Sequence, residues 1–139
     1  MREYIDHVLA LWPFEPDAHK RLGGPPCSFV GHPLIERHPW IASLDPAPLA
    51  ERLALAKEAP VLVVLPGSRS SEVSRMMPPF GEALAVLLAR GRKFDVVMPV
   101  MPSVRPLIEQ HLKAWPQQPH LIEGEEDKFR AFKLATAAL

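Results

Sequence analysis

Runs of apolar residues alternate along the second half of the chain with stretches in which apolar residues recur every three or four positions. Residues 61–65 are five consecutive apolar residues rich in β-branching, which is typical of a strand covered on both faces of a parallel sheet. A mostly apolar run at 94–100 predicts a second strand, and residues 121–122 predict a very short third one. Because segments with a helical spacing of apolar residues lie between these strands, the pattern predicts parallel crossovers and an α/β fold with a doubly wound, Rossmann-like sheet.

The helices of the second half are interrupted by prolines. Apolar residues at helical spacing between Glu72 and Gly91 predict one long amphipathic helix. Pro78 and Pro79 fall inside it, so we expect a kink or the beginning of a new helix at that point. Further helices are predicted at about 49–56, at 103–113 and after the acidic residues 125–127.

The first half contains shorter elements and more turns. Residues 5–12 predict a buried strand, residues 27–30 predict a second, short strand, and residues 15–22 predict a short helix between them. The chain has 17 prolines, well above the usual ~5% of residues, and this excludes long uninterrupted helices and coiled coils. Because prolines are frequent and apolar runs are few at 31–46, we predict a connector or crossover between two subdomains there.

Composition excludes several classes of function. Sixteen basic and 16 acidic side chains give zero formal net charge, whereas a dedicated nucleic-acid-binding protein has a surplus of Lys and Arg, so we expect no nucleic-acid partner. The single cysteine, Cys27, cannot form an internal disulfide or the usual Cys-rich zinc site. No signal peptide or apolar span of ~20 residues is present, and a cytosolic protein is therefore predicted.

The segment that follows the strand at 61–65 is the best candidate for binding chemistry. Ligands of open parallel sheets bind outside the carboxyl ends of the strands, where Gly67, Ser68 and Arg69 are expected. Gly67 permits a close backbone approach, Ser68 offers a hydroxyl and a free N–H, and the following helix N-terminus favours negative charge. Arg69 adds a fork of donors that matches phosphate oxygens. The segment predicts either a diphosphate-binding loop or an ordinary strand-to-helix turn with a solvated arginine.

The remaining candidates have simpler alternative explanations. His32 lies between Gly31 and Pro33, which favours extended backbone, and it is either a hinge residue or a ligand-binding or catalytic one. Glu72 and the acidic run at 123–127 are explained more readily as helix starts, where negative charge suits the helix dipole, than as an acid–base pair. The histidines lack metal-binding spacing, so no metal site is expected. Sequence motifs of P-loop enzymes, dinucleotide-binding folds and serine hydrolases are absent.

Three segments of the chain resemble the lipid-A-disaccharide synthase family. They are residues 6–16 (DHVLALWPFEP), 29–34 (FVGHPL) and 65–73 (LPGSRSSEV). Their order and spacing agree with the family over all 139 residues, which correspond to a middle section of the family's chain. The resemblance implies a GT-B glycosyltransferase, incomplete at both ends. It assigns residues 1–46 to the end of the acceptor-side domain plus the interdomain connector, and 47–139 to the UDP-sugar-binding domain.

The resemblance also implies a reaction and its partners. The family is a hexosyltransferase that moves 2,3-diacylglucosamine from a UDP donor to 2,3-diacylglucosamine 1-phosphate, forming the lipid A disaccharide 1-phosphate. By this resemblance Gly67, Ser68 and Arg69 contact the donor diphosphate, and His32 and Glu72 lie near the cleft. The lipid substrates imply a cytoplasmic enzyme in peripheral contact with the inner face of the bacterial inner membrane. No cofactor is expected.

The same resemblance places no catalytic residue within the chain. The family's proposed catalytic acid lies upstream of Met1, and its Ser-Gly-Thr segment lies beyond Leu139. The apolar residues 135–139, which lack a polar or glycine stop, favour a domain cut within an element. We therefore expect the chain alone to be inactive and to bind anions weakly. The alternative from another class is a non-catalytic α/β module that binds anions or pairs with another chain.

Overall fold

The computed structural model describes residues 3–139, which form two compact units. The first unit ends at Ser43 and the second spans Leu44–Leu139. Each contains parallel strands connected through helices, because parallel neighbours need a crossover between them. The predicted α/β class with parallel sheets is confirmed.

The first unit is built on two short parallel strands. Strand β1 (Val8–Ala10) pairs with β2 (Cys27–Phe29), and helix α1 (Glu15–Arg21) connects them. Pro16 lies in the first turn of α1, where the missing N–H has no intrahelical partner to lose. Both strands are shorter than the apolar runs that predicted them.

A helix follows in the segment that was predicted to be a connector. Helix α2 covers Leu34–Ser43, with Pro39 inside it, so most of the range 31–46 is helical and not extended chain, while its role as a connector or crossover between subdomains stays a prediction. The reason lies in where the prolines fall. Pro33 immediately precedes α2 and Pro46 is the N-cap residue of the next helix, and proline is well tolerated at helix starts. High proline content here marks helix boundaries more than it marks extended chain.

The second unit is built on a four-stranded parallel sheet with the order β5-β4-β3-β6. The strands are β3 (Val61–Val63), β4 (Asp95–Pro99), β5 (His120–Ile122) and β6 (Ala137–Ala138). Successive strands are added on one side of β3, and then β6 is added on its other side. This reversal is the switch point of doubly wound folds, outside which ligands bind. The apolar residues 137–138 thus form a strand of the sheet.

Helices cover both faces of this sheet. They are α3 (Ala47–Arg52), α4 (Ser70–Ala89), α5 (Arg105–Leu112) and α6 (Glu125–Leu134). Successive side chains of a strand point to opposite faces. Accordingly Leu62 and Val64 pack in a core with α4 and α5, whereas Val61 and Val63 pack in a second core with α3 and α6. The continuous apolar run at 61–65 therefore supplies both cores.

Helix α4 continues as one helix across both of its internal prolines. Pro78 and Pro79 are exposed, whereas Met77 is fully buried. The indole N–H of Trp115 donates to the carbonyl oxygen of Met77 at 3.1 Å. Of the two expectations, a kink or a new helix, no new helix begins at the prolines. The 20 residues of α4 also show that the exclusion of long uninterrupted helices was wrong. The helix continues because its buried face stays packed while the prolines face outward.

Candidate functional site

A cavity of about 660 Å³ lies in the second unit, at the carboxyl ends of three strands. Its walls come from residues 65–68 after β3, 99–102 after β4 and 122–125 after β5, together with Glu72 and Lys128. The volume falls in the range of about 300–1,000 Å³ that is usual for small-molecule sites. The cavity thus lies where a doubly wound sheet is expected to bind its ligand.

The cavity walls combine apolar surface with a few charges. Leu65 and Met101 are 42% and 54% exposed, so they offer apolar contact area to a ligand. Among the lining residues, the charged groups are the carboxylates of Glu72, Glu123 and Glu125 and the ammonium of Lys128. The side chain of Arg69, at the adjacent start of α4, is 77% exposed. A negatively charged ligand would therefore depend strongly on the loop that carries Arg69.

Gly67 begins that loop and has a positive φ of 105°, a conformation that residues with a side chain adopt only with strain. A Cβ at this position would lie 2.6 Å from Cβ and 2.7 Å from Oε2 of Glu72. Position 67 requires glycine because the Glu72 side chain folds back onto the loop and occupies the space that a Cβ would need. The sequence prediction explained Gly67 by the approach of a ligand, and it missed this closer neighbour.

Glu72 binds both backbone N–H groups that follow Gly67. Its Oε2 accepts hydrogen bonds from the N–H of Ser68 at 3.0 Å and from the N–H of Arg69 at 3.2 Å. Its Oε1 accepts a hydrogen bond from Nη1 of Arg69 at 2.6 Å. The prediction that the Ser68 N–H is free is therefore wrong. Glu72, at the third position of α4, accepts the backbone N–H of the N-cap residue Arg69, which is one half of a capping box, whereas the guanidinium of Arg69 has no acceptor for the reciprocal bond.

These contacts stabilise the ionised form of the Glu72 carboxylate. The N–H of Ser68 lowers the pKa of the Glu72 carboxyl most, followed by the guanidinium and the N–H of Arg69. Hydrogen bonds to the charged form have this effect because they stabilise the carboxylate relative to the acid. The ionised carboxylate thus lies where two N–H groups and one guanidinium converge at the N-terminus of a helix.

Arg105 pairs with Glu123, one of the residues that line the cavity. At the start of α5, its Nη1 donates to Oε1 of Glu123 at 2.7 Å and its Nε donates to Oε1 of Glu109 at 2.9 Å. These carboxylates raise the pKa of Arg105, with Glu123 contributing most. Sequence reasoning did not identify Arg105. Its spacing of four residues from Glu109 is a recognisable signal, but the link to the loop after β5 depends on the tertiary fold.

His32 lies in the first unit, immediately before α2. Its Nδ1 accepts a hydrogen bond from the N–H of Leu34 at 3.1 Å, and its ring centroid lies 6.0 Å from that of Trp12. These contacts organise the turn into α2. The structure brings Gly67, Ser68, Arg69 and Glu72 together at one loop of the second unit, whereas the cleft position of His32 stays a prediction.

Two features that would bear on function, a metal-binding cluster and a membrane-spanning helix, are absent from the described residues. Residues 3–139 contain no group of three or more His, Cys, Asp or Glu side chains that could hold a metal ion. Within the same residues, no helix has the length and apolar character needed to cross a membrane.

The whole chain matches one protein family. The family model described as lipid-A-disaccharide synthetase matches residues 1–139. The chain is 55% identical over 139 residues to lipid-A-disaccharide synthase of Rhodopseudomonas palustris strain BisB18, covering 100% of this chain and 34% of the relative. It is 47% identical over 139 residues to that of Bradyrhizobium diazoefficiens, with the same coverage. The chain thus spans about a third of the length of these curated relatives.

Proposed function

The chain belongs to the lipid-A-disaccharide synthase family, and on that basis we propose that it is part of a glycosyltransferase of lipid A biosynthesis. The proposed reaction transfers 2,3-diacylglucosamine from its UDP donor to 2,3-diacylglucosamine 1-phosphate and forms the lipid A disaccharide 1-phosphate. The observation that carries this proposal is the match of all 139 residues to the family model. The cavity at the switch point of the sheet supports the proposal, because ligands of doubly wound folds bind at that position.

Gly67, Ser68 and Arg69 bind the donor diphosphate in this proposal. This assignment is supported by the way the Ser68 and Arg69 N–H groups and the Arg69 guanidinium all point to the two carboxylate oxygens of Glu72. Phosphate oxygens accept hydrogen bonds from the same donors, and arginine pairs with them in a forked geometry. The exposed position of Arg69 beside the cavity also leaves it accessible to an entering anion.

Arg69 has a chemical role in the proposed transfer. The reaction breaks the bond between the anomeric carbon of the donor sugar and the diphosphate oxygen, and it forms a bond from that carbon to an acceptor hydroxyl oxygen, which loses its proton to a base outside this chain or to water. Negative charge develops on the departing UDP, and a guanidinium already held in place stabilises it without reorganising. This role requires no metal ion.

The proposal extends to domain organisation and location. Residues 1–46 belong to the acceptor-side domain and the interdomain connector of a GT-B enzyme, with His32 near the cleft, and residues 47–139 belong to the UDP-sugar-binding domain. The lipid substrates imply peripheral contact with the inner face of the inner membrane. The catalytic residue is not assigned within this chain, which by itself is proposed to be inactive.

Replacement of Arg69 in the full-length protein tests the proposal. Arg69→Ala is expected to weaken UDP binding about tenfold or more, because it removes a charge-assisted contact to phosphate. Isothermal titration with UDP and a transfer assay with the acylated donor provide the measurements. Arg75→Ala, which removes an exposed arginine from the same helix, is the matched control and should bind UDP normally.

The outcomes distinguish the parts of the proposal. Unchanged UDP affinity and transfer rate in Arg69→Ala would refute the diphosphate assignment. UDP binding by the full-length wild type without any transfer would instead favour the non-catalytic anion-binding module.

A further inference from the structure

We propose that Glu72 is a displaceable occupant of the diphosphate-binding loop. Its carboxylate holds the loop donors in position when no donor substrate is bound, and it leaves them when the diphosphate enters. This inference rests on the proposed function, because it concerns the same loop and the same ligand. It assigns Glu72 the role of a positioning residue that also competes with the ligand.

The hydrogen bonds of the loop make displacement necessary. The N–H groups of Ser68 and Arg69 both donate to Oε2 of Glu72. Each backbone N–H has one proton to donate. A phosphate oxygen therefore cannot form a full hydrogen bond with either group while the carboxylate remains. The Arg69 guanidinium is engaged less completely, because one of its five N–H donors points to Oε1 of Glu72.

Electrostatic repulsion acts in the same direction. A diphosphate within reach of Ser68 would lie a few ångströms from a retained Glu72 carboxylate, and like charges at that separation repel. The Glu72 side chain is 29% exposed, so solvent screens this repulsion incompletely. Movement of the carboxylate toward solvent removes the repulsion and leaves the Arg69 guanidinium to the ligand.

Glu72 can move without unfolding α4. It lies in the first turn of the helix and lines the open cavity together with Gly67 and Ser68. The body of the helix is held independently by Val73 and Met77, which are both fully buried in the core. A bound phosphate would take over the capping contacts, so the N–H groups at the start of the helix would stay satisfied.

Glu72→Gln in the full-length protein tests the displacement. The glutamine oxygen can accept the same N–H bonds, but it lacks the charge that attracts Arg69, so it competes less strongly with a phosphate. UDP, measured by isothermal titration, is expected to bind the variant about fivefold more tightly or better. Glu82→Gln removes an exposed carboxylate from the same helix and is expected to leave UDP affinity unchanged.

Other results would overturn the inference and separate it from the proposed function. If the wild type binds UDP and Arg69→Ala does not, equal or weaker UDP affinity in Glu72→Gln refutes displacement while the diphosphate site stands. If the wild type does not bind UDP, both proposals fail.

A crystal structure of the full-length wild type with UDP tests the same point without any variant. Displacement predicts that Glu72 Oε2 lies beyond hydrogen-bond distance of the Ser68 N–H. A carboxylate that is still bound to that N–H would overturn the proposal.

Discussion

Gly67 and Glu72 depend on each other, because the carboxylate occupies the space that a side chain at position 67 would need. Gly67→Ala would combine the strain of a positive φ with a contact of 2.6 Å to Glu72 Cβ. We expect it to lower the free energy of unfolding by about 1–3 kcal/mol, measured by urea denaturation.

Gly91→Ala is the control for Gly67→Ala. Gly91 also has a positive φ, of 73°, but a Cβ at this position would have no atom within 4 Å. This substitution adds backbone strain without a steric clash, so its effect should be the smaller of the two. Equal losses in the two variants would contradict the proposed interdependence of Gly67 and Glu72.

The Glu72 carboxylate should also make the stability of the protein depend on pH. Its pKa is lowered in the folded state, so its contribution is present above the ordinary glutamate pKa of about 4.3 and is lost as the pH falls through the folded-state pKa. The melting temperature of the wild type should exceed that of Glu72→Gln at pH 7, and the difference should disappear in acid. A difference that stays constant down to the acid limit would contradict this prediction.

At the residue level, the sequence located the loop but not its internal contacts. Gly67, Ser68 and Arg69 were identifiable because they follow a buried strand and precede a helix. The carboxylate that binds the loop was harder to find, since the usual capping-box pattern has Ser or Thr at the N-cap. Arg69 occupies that position here, so the three-residue spacing to Glu72 gave no clear signal.

At the level of elements, helix α4 packs against the indole ring of Trp115 at a glycine, Gly81. A Cβ at Gly81 would lie 2.9 Å from both Cδ1 and Nε1 of Trp115, whose N–H donates to Met77. Gly81→Ala would normally favour a helix by up to about 1 kcal/mol. Here we expect it to lower the free energy of unfolding by about 1–3 kcal/mol, because the indole must shift within a packed core.

The measurement is urea denaturation, with Ser74→Ala as the control on an exposed position of α4. The control should be neutral or stabilising, since alanine favours helix more than serine does. A stabilising effect of Gly81→Ala would show that the indole is loosely held.

The prolines explain why some helices were predicted incompletely. Pro39 in α2 and both Pro78 and Pro79 in α4 occupy exposed positions. Each removes an N–H and leaves a carbonyl oxygen one turn earlier without its helical donor. On an exposed face water can satisfy that oxygen, so the helix continues. Sequence alone did not show which face would be exposed, because that depends on the packing of the whole unit.

At the level of the whole molecule, the apolar runs predicted the class of fold and the parallel sheet. They did not predict the strand order, in which β6 pairs with β3 on the side opposite β4. That order depends on the path of the chain through space, and the two alanines of β6 give little signal of their own. Assignment of the two compact units to two domains of a larger enzyme remains a prediction.

The pairing of β6 with β3 has a consequence for folding during synthesis. The N–H of Thr136 donates to the carbonyl oxygen of Val61, and the N–H of Leu65 donates to that of Leu139. Contacts so distant in sequence form late, because the intervening chain must first be closed into a loop. Until the ribosome has added residues 136–139, one edge of β3 is open and the loop that follows it lacks its anchor. We therefore expect the loop at 65–69 to take its final geometry only after most of the second unit has been made.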